Sequence, residues 1–260
     1  MNEAAAERKI VLKPRLEAAL NMLMAAETVL GEENSADVSD GISISIGDIG
    51  CDHGRLSVAM LQRHIASHVI ASDISPASLD KARMLARTCG VDDRLECRVS
   101  DGFAAYSEGE IDKAVIAGMG GELIAAILDK HSKLVRGLSC IVMQPMRGES
   151  ELREYLYKNE FIITDERVVF DGGRYYQLIC ARGGVPAPLP DGWPKDFWQF
   201  GAMALEKRDP CLIKLMYRYL EIIVKKLVRA SENGHTPINL LREMDCTKRL
   251  IKMYNSGEKP

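Results

Sequence analysis

The stretch with the clearest capacity for chemistry is Gly47-Asp48-Ile49-Gly50-Cys51-Asp52-His53-Gly54, which follows an apolar run and precedes a helical pattern. Glycines in such a turn let backbone approach a ligand, and the first turn of the following helix presents free N–H groups. No G-x-G-x-x-G pyrophosphate fingerprint can be read from it. The run fits D-x-G-x-G-x-G instead, with Asp52 in place of the middle glycine. An amino acid carboxylate could sit on the helix N-terminus, with Asp48 or Asp52 bonding the ammonium. A tight strand-to-helix turn without a ligand fits the same residues.

Four further clusters occupy equivalent places along the chain. Asp73 ends the run VIASD, where a carboxylate can accept from both hydroxyls of a ribose. It could equally cap the helix opened by Pro76, although Ser75 is better placed for that task. Ser100-Asp101-Gly102 follows the next run, and Asp101 could accept from an adenine amino group or simply form a turn. Ile116-Ala117-Gly118-Met119-Gly120-Gly121 removes side chains where two substrates must meet, or is a flexible loop. Gln144, in Met143-Gln144-Pro145-Met146, offers an amide at the rim, with a strand-ending proline as the alternative. Acidic positions after three successive strands are hard to assign to turns alone.

The elements that must hold these residues show two periodicities. Short apolar runs at 42–49, 68–72, 94–99, 111–117 and 138–143 alternate with helical patterns at 55–65, 76–88, 121–131 and 149–159. That alternation predicts an α/β fold with a doubly wound, mostly parallel Rossmann-like sheet. The runs at 161–170 and 174–181, joined by Asp171-Gly172-Gly173, predict an antiparallel hairpin closing the sheet. Ahead of the sheet, Leu12, Leu16, Leu20 and Leu23 mark one face of a helix, followed by a polar loop at 31–43. After it, GGVPAPLPDGWP reads as a boundary. Two amphipathic segments, around Leu212–227 and 240–254 and separated by SENGHTP, predict a helical hairpin. The expected division is a cofactor-binding domain over 1–184 and a coiled-coil-like helical domain over 191–260.

Composition narrows the setting. No apolar run reaches the roughly 20 residues of a membrane span, and the first residues lack a signal-peptide core. Seven cysteines without a CxxC read mostly as small apolar residues in a reducing cytoplasm. Residues 191–260 hold 13 Lys and Arg against 9 Asp and Glu, whereas 1–190 hold 21 against 28. A tail of +4 on a body of −7 hints at an anionic macromolecular partner, or is a solvated Lys-rich hairpin.

The set DIGCDHGRL, ASDIS, SDG, IAGMGGELI and QPM, followed by LREYLYKNEF and DGGRYYQL, resembles the bacterial tRNA (adenine-22-N1)-methyltransferase family. The likeness runs from about Leu12 to Ala181. It implies an S-adenosyl-L-methionine-dependent enzyme acting on tRNA, with a C-terminal helical hairpin, no metal and no membrane. It implies cofactor contacts from Asp48, Gly50, Asp52, His53, Gly54, Asp73, Ile74, Asp101, Gly102, Ala117, Gly118, Met119 and Gly120. Arg15, in KPRLEAA, holds the family's N-terminal Arg-Leu position and could face cofactor or RNA. Met146 stands where QPN is usual, and the polar insert at 31–43 is long. Because adenine N1 carries a free lone pair at neutral pH, alignment and electrostatics should suffice for methyl transfer. Asp52 and Gln144 are expected closest to the reacting nitrogen, Cys51 is expected to pack, His53 to order the loop or contact the cofactor, and the protein to be a monomer.

Overall fold

The computed structural model describes residues 9–30, 44–188, 198–233 and 237–257. The expected loop at 31–43 lies outside those residues, as do 189–197 of the Gly/Pro-rich boundary and 234–236 of the SENGHTP turn.

One seven-stranded sheet organises the chain, in the order β3-β2-β1-β4-β5-β7-β6. Strands β1 (Ser45–Ile49), β2 (His68–Asp73), β3 (Leu95–Val99), β4 (Lys113–Met119) and β5 (Cys140–Pro145) run parallel. β6 (Phe161–Asp171) and β7 (Arg174–Gly183) form the antiparallel hairpin, with β7 inserted beside β5. The chain leaves β1 toward β2 and β3, then returns to place β4 on the other flank of β1. Two neighbouring strands thereby send their following loops in opposite directions, which opens a crevice at their carboxyl ends.

Helices cover both faces, as burial of both sides of a parallel sheet requires. α1 (Pro14–Leu30), α2 (Arg55–Gln62) and α3 (Pro76–Thr88) enclose one core containing Leu20, Leu23, Leu56, Met60 and Ala86. α4 (Gly121–Lys130), α5 (Ser132–Arg136) and α6 (Glu149–Lys158) enclose the other, with Ile124, Leu128, Val135, Leu152 and Leu156. In α1 the expected face is present: Leu20 and Leu23 are fully buried, Leu16 packs beside them, and Leu12 is buried just ahead of the helix.

α7 (Ala202–Glu206), α8 (Leu212–Glu232) and α9 (Ile238–Ser256) follow the sheet. Leu212, Met216, Leu250 and Ile251 share a third core with Phe200, Leu205 and Val168 of β6. The outermost strand therefore gives one apolar residue to the C-terminal helices. Arg153 of α6, 2% exposed, fixes the segment that bridges them. Its guanidinium meets Glu166 Oε1 at 2.6 Å, Gln177 Oε1 at 2.8 Å and the Trp198 carbonyl at 2.7 Å. Glu166 Oε2 in turn accepts from Met203 N at 2.9 Å.

Boundaries differ from the pattern in instructive places. β4 extends to Met119 and β5 to Pro145, two residues past the apolar runs. A bulge between Ala117 and Met119, with Gly118 at φ +84°, absorbs one residue so that Met119 pairs with Pro145. α8 runs on through Ser231 and Glu232, which the sequence placed in a loop. The five-residue helices α5 and α7 are too short to carry a readable period.

Candidate active site

The loop after β1 is shaped by three left-handed residues, Gly50 at φ +72°, Asp52 at +52° and Gly54 at +69°. Both Gly50 N and Cys51 N donate to the Ser72 carbonyl, at 2.8 and 2.9 Å, so the loop is stitched to β2. Asp52 tolerates its backbone because aspartate visits this region more readily than most residues. Its N–H donates to Asp73 Oδ2 at 3.1 Å, while its side chain, 77% exposed, stands 3.4 Å from His53 Nε2. His53 Nε2 also lies 3.1 Å from Lys81 Nζ of α3. Gly54 serves packing: a Cβ there would meet the Ala82 Cβ at 2.6 Å, so glycine lets α2 start against α3.

Asp48 sits deeper, 3% exposed, and its Oδ2 accepts from Ser57 Oγ at 2.5 Å. Burial pushes its carboxyl up to about 6, against the opposing pull of the Ser57 hydrogen bonds. At the end of β2, Asp73 Oδ1 accepts from Ser75 N at 2.8 Å. The helix cap belongs to Ser75, whose Oγ accepts from Ser78 N at 3.3 Å. Ile74 is 73% exposed, an unusual price for a large apolar side chain on a folded surface. After β3, Asp101 pairs with Lys130 Nζ at 2.9 Å, and that contact holds its carboxyl below the usual range. Gly102, at φ +60°, leaves room for Ile127.

These loops surround one cleft of about 590 Å³. Of the residues singled out in the sequence, Arg15, Asp48, Gly50, Asp52, His53, Asp73, Ile74, Asp101, Gly102, Ala117, Gly118 and Met119 line it. Gly54, Gly120 and Gln144 do not. Gly120 instead precedes α4, at the place where Gly121 N donates to the Arg147 carbonyl at 2.8 Å. Gln144 corrects the expectation of an amide at the rim: it is fully buried. The extension of β5 places it within the strand, with Oε1 accepting from Arg15 Nη1 at 2.6 Å and Nε2 donating to the Pro145 carbonyl at 2.7 Å.

Arg15 is the junction of three elements. Besides Gln144, its guanidinium faces Asp171 at 3.7 Å, on the tip of the β6–β7 hairpin, and lies 5.5 Å from the Tyr176 ring centroid. The cleft also uses residues to which the sequence gave no site role, among them Arg55, Leu56, Leu123 and Ile127. Leu123 and Ile127 are four apart on α4; Ile127 belongs to the core, whereas Leu123 is 53% exposed. Cys51 packs with Ala71 and Leu79, and burial pushes its thiol up, away from nucleophilic duty. Among the described residues no group of His, Cys, Asp and Glu could hold a metal, and no helix is long and apolar enough to cross a membrane.

A family model described as a methyltransferase domain matches residues 36–179. The tRNA (adenine(22)-N(1))-methyltransferase of Bacillus subtilis is 32% identical over 147 residues, covering 56% of this chain and 62% of that protein. The chain thus spans about three fifths of that curated relative. The solved structure of the Bacillus subtilis tRNA methyltransferase TrmK superposes with a TM-score of 0.73 at 22% identity, covering 96% of this chain and 99% of the other. A Streptococcus pneumoniae protein, solved with S-adenosyl-L-methionine and described as a candidate tRNA methyltransferase, gives 0.73 at 21% identity, covering 91% and 98%. At such identities these structures establish the shared fold.

Proposed function

The chain belongs to the methyltransferase-domain family, and from that premise we propose that it transfers a methyl group from S-adenosyl-L-methionine to N1 of adenine-22 in tRNA. The observation that carries the reading is the convergence of Asp48, Asp73 and Asp101 with the Gly118 bulge on one cleft at the sheet switch point.

The cleft suits a nucleoside that carries an amino acid. Asp73, tied to both Asp52 N and Ser75 N, offers its remaining lone pairs to two ribose hydroxyls. Ile74 and Leu123 supply apolar surface for an adenine ring, and Asp101 an acceptor for its amino group. Asp48 and Asp52 supply negative charge for an ammonium, and the start of α2 offers N–H groups for the carboxylate. When bound, the sulfonium provides an activated methyl group for direct attack by a neutral nitrogen.

The chain's own contribution is then position and charge. Asp52 faces the cleft with an exposed carboxylate that stabilises a developing cation on the base. Gln144 acts at one remove, holding Arg15 in place at the edge of the cleft. In folded tRNA the N1 atom belongs to the pairing edge, so the target base must be unpaired or extruded. The exposed cations Lys225, Lys226 and Arg229 of α8 and Arg242, Lys248 and Arg249 of α9 supply a surface for the phosphate backbone.

Incubating the protein with total tRNA and methyl-labelled cofactor, then mapping the labelled nucleoside, tests the reading. Label at N1 of adenine-22 is expected; label at another nucleoside, or none in RNA, overturns the substrate assignment. Single-turnover methylation by Asp52→Asn at saturating cofactor should be slowed at least tenfold, and an unchanged rate removes Asp52 from the chemistry.

A further inference from the structure

Beneath the second half of α1 lies a polar spot that methyl transfer does not use. Lys113 of β4 and Cys140 of β5 are register partners. Cys180 of β7 lies diagonally across from Cys140, since Val142 pairs with Cys180 and Ile141 with Ala181. All three are nearly inaccessible, at 4%, 1% and 1% exposure. Lys113 Nζ donates to the Leu23 carbonyl at 3.1 Å, its one hydrogen bond among the described residues. A buried ammonium without a carboxylate partner favours an anion beside it.

The two sulfurs are 3.0 Å apart. A disulfide bond is about 2.03–2.05 Å long, so closing one requires a movement of about 1 Å. Access distinguishes the pair. Cys180, and not Cys140, lines a separate cleft of about 350 Å³ with Met22, Ala25, Asp165, Arg182 and Lys207. We propose that Cys140 and Cys180 form a redox-active dithiol, in which hydrogen peroxide entering by that cleft oxidises Cys180 and Cys140 then closes a disulfide between β5 and β7.

In the first step the Cys180 sulfur attacks one peroxide oxygen and the O–O bond breaks. Cys180 becomes a sulfenic acid, and the departing hydroxide takes up the thiol proton as water. In the second, the Cys140 sulfur attacks the Cys180 sulfur, the S–O bond breaks, and the leaving hydroxide takes the Cys140 proton as a second water. Two thiols lose two electrons in all, and one peroxide is reduced. The order agrees with the polarity of the pair: the hydrogen bond from Cys140 holds the Cys180 thiol below its usual range, while the same bond and burial push Cys140 up.

Cys97 and Cys211 are more exposed than either member of the pair and serve as internal controls. Treating the native protein with hydrogen peroxide, then alkylating after denaturation and mapping peptides, should show Cys140 and Cys180 joined to each other. Dithiothreitol should return both to the alkylated set. If both remain alkylated at doses that oxidise Cys97 or Cys211, the proposal is overturned. Trapping with dimedone fixes the order of attack: Cys140→Ser should leave Cys180 strongly labelled, and Cys180→Ser should leave Cys140 unlabelled. Equal labelling of the two variants removes the cleft-facing role of Cys180. None of these readouts depends on the identity of the methyl acceptor.

Discussion

Asp48 combines two conditions that oppose each other: it is buried, and it borders a cleft suited to a cation. In the free protein burial raises its carboxyl to about 6, from an ordinary value of 3.8. The folded state therefore binds a proton that the unfolded chain releases between those values. Stability from this group is highest below pH 4, declines as pH rises toward 6 and stays reduced above it. Asp48→Asn should flatten that part of the stability profile, measured by urea unfolding between pH 4 and 7. A cationic ligand group reverses the preference, because it stabilises the carboxylate. Cofactor affinity should accordingly fall as pH drops from 7 to 5, with uptake of a proton by the free protein, and Asp48→Asn should weaken binding and abolish that dependence. Calorimetric titration at several pH values checks both signs. Asp73 makes a second residue-level case, since its carboxylate ties the β1 loop to β2 and faces the cleft. Asp73→Asn should raise the cofactor Kd at least tenfold, which is about 1.4 kcal/mol, with the unfolding midpoint little changed.

At the scale of elements, the site depends on how closely two loops approach. A Cβ on Gly121 would lie 2.0 Å from the Gly148 carbonyl oxygen, a backbone atom with no freedom to swing aside. Gly121→Ala should force apart the loops after β4 and β5, lowering stability by roughly 1–3 kcal/mol and weakening cofactor binding with it. Thermal unfolding with and without cofactor measures the two effects. The Arg153–Glu166 pair is the corresponding device at the sheet edge, where it joins α6, β6, β7 and the segment entering α7. Both partners are 2% exposed, so removing one strands a charge. Arg153→Met should cost about 3–5 kcal/mol in urea unfolding, and adding Glu166→Gln should restore part of it.

For the whole molecule, the proposed contact with tRNA rests on the arrangement of charge. The C-terminal helices carry exposed cations, among them Lys225, Lys226 and Arg229. Replacing Lys225, Lys226 and Arg229 together by Gln should weaken tRNA binding and lower its dependence on salt, while cofactor affinity stays as it was. Filter binding across a salt series reads both. Point substitutions are preferable to removing residues from Pro190 onward, because truncation uncovers Val168 and takes away the Trp198 carbonyl from Arg153 and the Met203 N–H from Glu166.

The sequence by itself determined the order of elements, the parallel sheet with its closing hairpin, and most residues bordering the cleft. It could do so because apolar periodicity and glycine placement are local properties, and each loop contributes to the cleft through residues adjacent in the chain. Tertiary structure alone decided the rest. Pairing with Ala117 of β4 drew Gln144 into the sheet, where Arg15, 129 positions away, occupies its amide oxygen. Leu123 shares a helical pattern with the core residues Ile124, Ile127 and Leu128, and only the position of α4 beside the crevice distinguishes it. Cys140 and Cys180, unremarkable among seven cysteines in the sequence, became a pair because strand register set them diagonally across β5 and β7. Register and burial depend on residues far apart in the chain, and a pattern read along one strand does not contain them.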